Sequence, residues 1–326
     1  MRPRTWIYTV IGALVLGAGV SSAANAWFDI YGLFRNDHGR LLPVYGDERV
    51  AKYLLSERYV PANFDGLLLG PSITANWNTR RFQKFRIYNA SLNGGNIVEE
   101  KCVVDQALPS RKIRIALLLV HPSLTLSHDF QTVQLTPREN LAAFGSQSLL
   151  DAYKDAVLRL QKPDKIVTDG FGTEYSDEPH VLNPINVRLM RPGVDFEIDP
   201  IALRTYGDLL GEFQAYHVQT VLIAPPLAEN LFQSKKVAFR KYLALIRSQA
   251  PEQTKVIDFL SDQYEAFRRD QANFSDGIHL TRLGADRITD EVNTRLKEIY
   301  YREPSGPRST SSMISRSGLA SQAMRR

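Results

Sequence analysis

Five short apolar runs follow one another along the chain, and most of them do not alternate with polar residues. They cover residues 64–69, 85–88, 113–120, 220–224 and 255–259, and several end on turn residues: Gly70-Pro71, Asn89 and Pro225-Pro226. Unalternating runs of this length predict parallel strands covered on both faces. Helical patterns lie between them. Thr136, Pro137 and Glu139 form a capping box that opens a helix towards Leu160. Asp199-Pro200 opens another, with Leu203, Tyr206, Leu209, Leu210 and Phe213 on one face. Ser234 is expected to cap a helix through Ile246. Thr281 is expected to cap the last helix, with Leu283, Ile288, Val292, Leu296 and Ile299 as its buried stripe. Strands separated by helices predict a three-layer, doubly wound α/β fold with about five parallel strands.

Three segments depart from this rhythm. About a hundred residues separate the third strand from the fourth, too many for a simple crossover. An insertion around residues 121–217 is therefore expected, and its polar, Pro/Gly-punctuated part from 162 to 193 reads as an irregular excursion or lid. Residues 303–326 are rich in Ser and Arg and poor in large apolar side chains, which predicts a disordered basic tail. At the other end, Met1-Arg2-Pro3-Arg4 precedes an uncharged, largely apolar stretch from Trp6. One reading is a cleaved signal peptide with Ala24-Asn25-Ala26 at the cleavage site. The favoured one is an uncleaved anchor over residues 1–28, long enough to span a bilayer with some tilt. Arginines ahead of the span put the N-terminus in the cytoplasm. Both readings export residues 29–302, which form the α/β domain.

Charge changes the picture little. The chain of 326 residues has a formal net charge of +5, but arginines crowd its two ends and the body between is nearly neutral. A nucleic-acid groove needs its basic patch on the folded body, so no nucleic-acid partner is expected. Cys102 is the only cysteine, which excludes an intrachain disulfide and a thiolate metal cluster. It reads as a small core residue in a helix. His128, His180 and His217 lack metal-ligand spacing, and no metal or organic cofactor is implied. Asp169-Gly170-Phe171-Gly172, Arg80-Arg81 and Lys235-Lys236 read as a chance motif and as solvated faces.

Candidate chemistry sits at three places, each after a predicted strand or before the last helix, where ligands of open α/β sheets bind. Ser72 lies two residues past the first strand on a Gly70-Pro71 turn, near a helix start whose N–H groups favour an anion. Asn93, Gly94 and Gly95 follow the second strand, and such a loop presents N–H groups to an oxyanion. Asp276 and His279 precede the last helix. A carboxylate holding an imidazole in one tautomer makes it a general base for a serine.

Together, Gly70-Pro71-Ser72, Gly94 and Asp276-Gly277-Ile278-His279 resemble, in order and spacing, the blocks of the SGNH (GDSL-type) hydrolases. The stretch Trp27-Phe28-Asp29-Ile30-Tyr31-Gly32 is similar to the membrane-anchored, acyltransferase-like bacterial branch. The resemblance spans residues 64–300 and implies the flavodoxin-like SGNH fold. It further implies Ser72 as nucleophile, His279 as base, Asp276 as its orienting partner, and the Ser72 and Gly94 N–H groups in the oxyanion hole. Two departures stand out. Pro71 replaces the usual Asp or Ser, and the family's Asn after strand three is missing from Leu119-Val120-His121-Pro122-Ser123. His121 or Ser123 is then a candidate replacement donor, with Asn93 and Asn96 as spares.

The resemblance implies a periplasmic serine esterase or O-acetyltransferase, anchored by one pass in a bacterial inner membrane. An acylated glycan or small ester is its expected substrate, and envelope polysaccharide machinery its expected company. Two alternatives stay open: a catalytically impaired scaffold or glycan-binding relative, and a lipase-like hydrolase.

Overall fold

The computed structural model describes residues 3–33, 45, 47–126, 135–142, 145–161, 168–175 and 195–300. The predicted runs become β1 (Gly66–Leu69), β2 (Ile87–Asn89), β3 (Ile115–Leu119), β4 (Gln219–Ala224) and β5 (Lys255–Asp258). All four pairings are parallel, in the order β2-β1-β3-β4-β5. This is the flavodoxin-like order, whose chain reversal between β1 and β3 opens a crevice at the strands' carboxyl ends. Every residue of β1, β2 and β3 is buried, so both faces of the central sheet are covered. Unalternating sequence has the same cause.

The helices are α1 (Pro3–Phe28), α2 (Glu48–Glu57), α3 (Tyr59–Asn63), α4 (Ser72–Ala75), α5 (Ile97–Ala107), α6 (Glu139–Ala142), α7 (Gln147–Gln161), α8 (Pro200–Ala215), α9 (Glu229–Gln249), α10 (Glu265–Arg269) and α11 (Arg282–Tyr300). Within one layer, α2 packs on α5, α5 on α8 and α8 on α9, while α11 lies against β5 and the turn Thr79–Arg81. Asp199 caps α8 through its carboxylate, which accepts from Ile201 N at 2.7 Å, and Pro200 takes the first helical position. Asn96 opens α5 with a reciprocal capping box to Glu99.

Several expectations need correction. The helix expected from Thr136 to Leu160 is two helices: Ser146 restarts the chain by accepting from Leu149 N through its hydroxyl at 3.0 Å. Ser234 caps nothing, because α9 begins five residues earlier and the Ser234 hydroxyl donates back to Leu231 O. Leu283 lies outside the buried stripe of α11, at 49 % exposure. Lys235 is no solvated charge: it is buried, with its ammonium 5.2 Å from the centre of the Phe196 ring. Cys102 is half-buried against the core, and burial raises its thiol pKa.

The segment 168–175 of the insertion is an ordered turn. Asp169 accepts from Phe171 N and Thr173 N on one oxygen, and from Arg80 and the Tyr175 hydroxyl on the other. The turn docks on the sheet edge, where Asn89 N donates to Phe171 O at 2.7 Å. The rest of the excursion from 162 to 193, His128 and His180, and the tail 303–326 lie outside the described residues.

α1 contains one stretch, Thr5–Phe28, long and apolar enough to cross a membrane, with a mean hydropathy of 1.8. Its last turn runs into the domain. Asn25, Asp29, Ile30 and Tyr31 are all buried, and Leu33 N donates to the Asp29 carboxylate at 2.7 Å.

Candidate active site

The turn after β1 sets Ser72 at the first position of α4, with Pro71 as an extended N-cap. Gly70 is required by close approach. A Cβ there would stand 2.5 Å from Thr74 Oγ1 and 3.0 Å from Leu119 Cβ. Thr74 cannot yield easily, because its hydroxyl is 2.7 Å from Ser91 Oγ and 3.1 Å from Pro71 O. Gly70→Ala is therefore expected to cost ~1–3 kcal/mol of stability through overpacking, measured as a lowered denaturant midpoint. An unchanged midpoint would show that the turn relaxes freely. Asn89, at the end of β2, binds the other end of α4: its amide donates to Thr74 O at 2.8 Å and Ala75 O at 3.0 Å.

Asp276 and His279 arrive from the loop before α11. Ser275 N donates to His279 O, and Thr281 N to Asn273 O, which closes this loop on itself. Asp276 Oδ1 accepts from the backbone N–H of Ile278 and His279, and Oδ2 takes His279 Nδ1 at 2.6 Å. With Nδ1–H donated to the carboxylate, Nε2 is free to accept a proton, and it lies 2.8 Å from Ser72 Oγ. Burial alone would raise the Asp276 carboxyl. The hydrogen bonds and charge of His279, with the Ile278 N–H, outweigh it and hold the group below its usual range. His279 is buried while Ser72 stays partly open, so the hydroxyl is the accessible end of this relay.

The loop after β2 lies beside Ser72. Leu92 N donates to Gly70 O at 2.9 Å, which ties the loop to the serine turn. Gly94 adopts φ +64, a conformation that favours glycine, and its half-exposed backbone points no Cβ at any neighbour within 4 Å. Asn93 is committed to holding this loop. Its N–H donates to Glu48, its carbonyl accepts from Arg49, and its amide donates to Glu174 at 2.7 Å. Lys52, itself buried, bonds Ser91 O and pairs with Glu48 at 2.9 Å. Asn96, the other spare, is spent on the α5 cap. The residues missed by sequence reasoning are these staples: Glu48, Arg49, Lys52, Asn89 and Glu174. Glu48, Arg49, Lys52 and Glu174 stand far from the diagnostic blocks, and only the fold brings them in.

His121 follows β3 by two residues. It is 1 % exposed. Its Nδ1 lies 2.7 Å from Ser123 Oγ and accepts from Ser123 N at 3.3 Å, which leaves the ring proton on Nε2. Burial, and then the proximity of His279, push its pKa down to about 3. The ring is thus a neutral donor within electrostatic reach of His279. His217, by contrast, sits exposed after α8 with φ +58. It lines a cavity of about 360 Å³ with Gln219, Thr220, Lys255 and Tyr300. That cavity is at the amino ends of β4 and β5, the wrong end of the sheet for Ser72. Among the described residues no group of His, Cys, Asp and Glu could hold a metal ion.

No protein-family model matches the sequence, and no curated protein matches it. Among solved structures, the chain is similar to a protein described as a platelet activating factor from Streptococcus pneumonia, with 12 % identity and a TM-score of 0.40 over 78 % of this chain and 92 % of that one. It is also similar to a lipase/acylhydrolase from Enterococcus faecalis, with 13 % identity and a TM-score of 0.38 over 72 % of this chain and 96 % of that one.

Proposed function

We propose that this chain is an SGNH-like serine esterase or O-acyltransferase, tethered by α1 to a bacterial inner membrane, with its α/β domain on the periplasmic side. The observation that carries the reading is the relay Ser72–His279–Asp276, linked by contacts of 2.8 and 2.6 Å. Ser72 Oγ attacks an ester carbonyl and its proton passes to His279 Nε2. The resulting oxyanion is held by N–H groups at Ser72, Gly94 and His121. His279 then protonates the leaving alkoxide as the ester C–O bond breaks, and Ser72 keeps the acyl group. Water, or a sugar hydroxyl, next gives its proton to His279 and takes the acyl group, and His279 returns that proton to Ser72 Oγ as the acyl-enzyme C–O bond breaks. Asp276 stays ionised throughout and holds the imidazole in its tautomer.

An acylated envelope or exported polysaccharide is the favoured substrate. Its support is the polar wall beside Gly94, made of the Asn93 amide and the Glu174 carboxylate, together with the sequence resemblance to the anchored branch. Burial of Asn25 near the end of α1 supports a retained anchor over a cleaved leader, since cutting after Ala26 would remove that side chain and its contact with Tyr153. The test is labelling of the full chain by a fluorophosphonate probe, with the adduct located by mass spectrometry. An adduct on Ser72, lost in the His279→Ala variant, is expected. Absence of a Ser72 adduct at neutral pH would reject the serine mechanism.

A further inference from the structure

One helix of the domain turns an apolar stripe outwards. On α7, Leu150 is 63 %, Val157 51 % and Leu158 43 % exposed. At 3.6 residues per turn these three fall within roughly a 100° arc, with exposed Lys154 between them. The opposite side of α7 faces inwards: Leu149 and Ala152 are buried in the core. Elsewhere on the α/β domain, the exposed Ile201, Val237 and Leu283 each sit on a different helix.

What lies next to α7 indicates what covers the stripe. The Tyr153 hydroxyl of α7 donates to Asn25 Oδ1 of α1 at 2.6 Å, and the Tyr153 and Phe28 rings meet edge-on at 6.0 Å. These contacts fall in the last turn of α1. Exposed aromatic residues mark both ends of that helix, Trp6 and Tyr8 at one and Trp27 and Phe28 at the other. At 1.5 Å per residue, Trp6 and Trp27 are about 31 Å apart, close to the ~30 Å of a bilayer's hydrocarbon core. Aromatic residues at this spacing sit at the two membrane–water interfaces. A helix bonded to Asn25 and Phe28 is then held at the depth of the outer interface.

We infer that the Leu150–Val157–Leu158 face of α7 lies on the outer leaflet of the bilayer that α1 crosses. This rests on the reading of α1 as an anchor. The apolar stripe enters the boundary between headgroups and acyl chains, as in interfacial amphipathic helices, and Lys154 extends its ammonium to lipid phosphates. Spanning helix and lying helix together fix the domain's tilt, so that the Ser72 site keeps one orientation above the membrane.

Spin labels test this in the full chain, carrying Cys102→Ala and reconstituted in vesicles of phosphatidylethanolamine and phosphatidylglycerol. Single cysteines are placed by Leu14→Cys, Leu150→Cys, Val157→Cys and Val237→Cys, and collisions with oxygen and with a water-soluble nickel chelate are measured. Labels at 14, 150 and 157 are expected to favour oxygen severalfold, and the label at 237 the chelate. If 14 favours oxygen while 150 and 157 behave like 237, the face is in water and the inference falls, with the anchor intact. If 150 and 157 are shielded from both reagents, another protein or a second copy covers the face, and the inference falls too. If 14 itself favours the chelate, the anchor reading fails and takes the inference with it.

Discussion

Ser72→Ala is expected to lower p-nitrophenyl acetate turnover by the full chain in detergent ~10³–10⁶-fold, and His279→Ala by a similar factor. Each substitution interrupts one relay, in which Ser72 Oγ, the imidazole and the carboxylate are joined by two short contacts. The double variant should therefore be no slower than either single one, because groups acting as a unit are removed together by the first substitution. Asp276→Asn is expected to cost ~10⁴-fold, since an amide at that place no longer enforces the tautomer that leaves Nε2 free. The backbone N–H donors of Ile278 and His279 would keep the side-chain oxygen as their acceptor, so the loop should keep its shape and the loss should appear in kcat. If the parent chain is no faster than Ser72→Ala, the relay is inert. The reading then passes to a scaffold or glycan-binding relative that retains the fold.

The sheet was legible because burial on both faces leaves a direct trace: β1 and β3 have no polar position to break the run. Ser72, Asp276 and His279 were legible because strand ends and a helix start place them, and local geometry of that kind is written in neighbouring residues. What escaped depends on distant partners. Nothing in Glu48-Arg49 announces that it holds Asn93, forty-odd residues further on. Lys235 looked like half of a solvated basic pair, yet Phe196 lies under its ammonium. Nothing near Asp169 announces that its carboxylate pins a tight turn against the strand edge. The break between α6 and α7 was missed because Thr136 does bond the chain ahead of α6, through Arg138 N, while the restart at Ser146 needs only one hydroxyl.

His121→Ala is expected to lower kcat ~10²–10³-fold with KM little changed, the usual cost of one oxyanion donor. The expectation rests on its position and tautomer. The ring follows β3 at the place where the proposed SGNH-like reading implies a side-chain amide, and Ser123 occupies Nδ1, so Nε2–H is the only donor it can offer. Neutrality is as important as place, because a second cation would oppose protonation of His279. Burial supplies that neutrality by holding the pKa near about 3. His121→Asn, which restores an N–H donor without a titrating ring, should recover much of the lost kcat, whereas a purely structural role would give no such rescue. The depressed pKa has a signature in stability. The unfolded chain binds a proton near the ordinary histidine value of about 6.5, and the folded chain refuses it until about pH 3. This contribution is present in full above pH ~6.5 and is lost progressively as pH falls towards the folded value. Denaturant unfolding between those limits should be less pH-dependent in His121→Asn than in the parent. A His121→Ala variant with parental kcat would remove the ring from the oxyanion site and leave the Ser72 and Gly94 N–H groups to hold the charge alone.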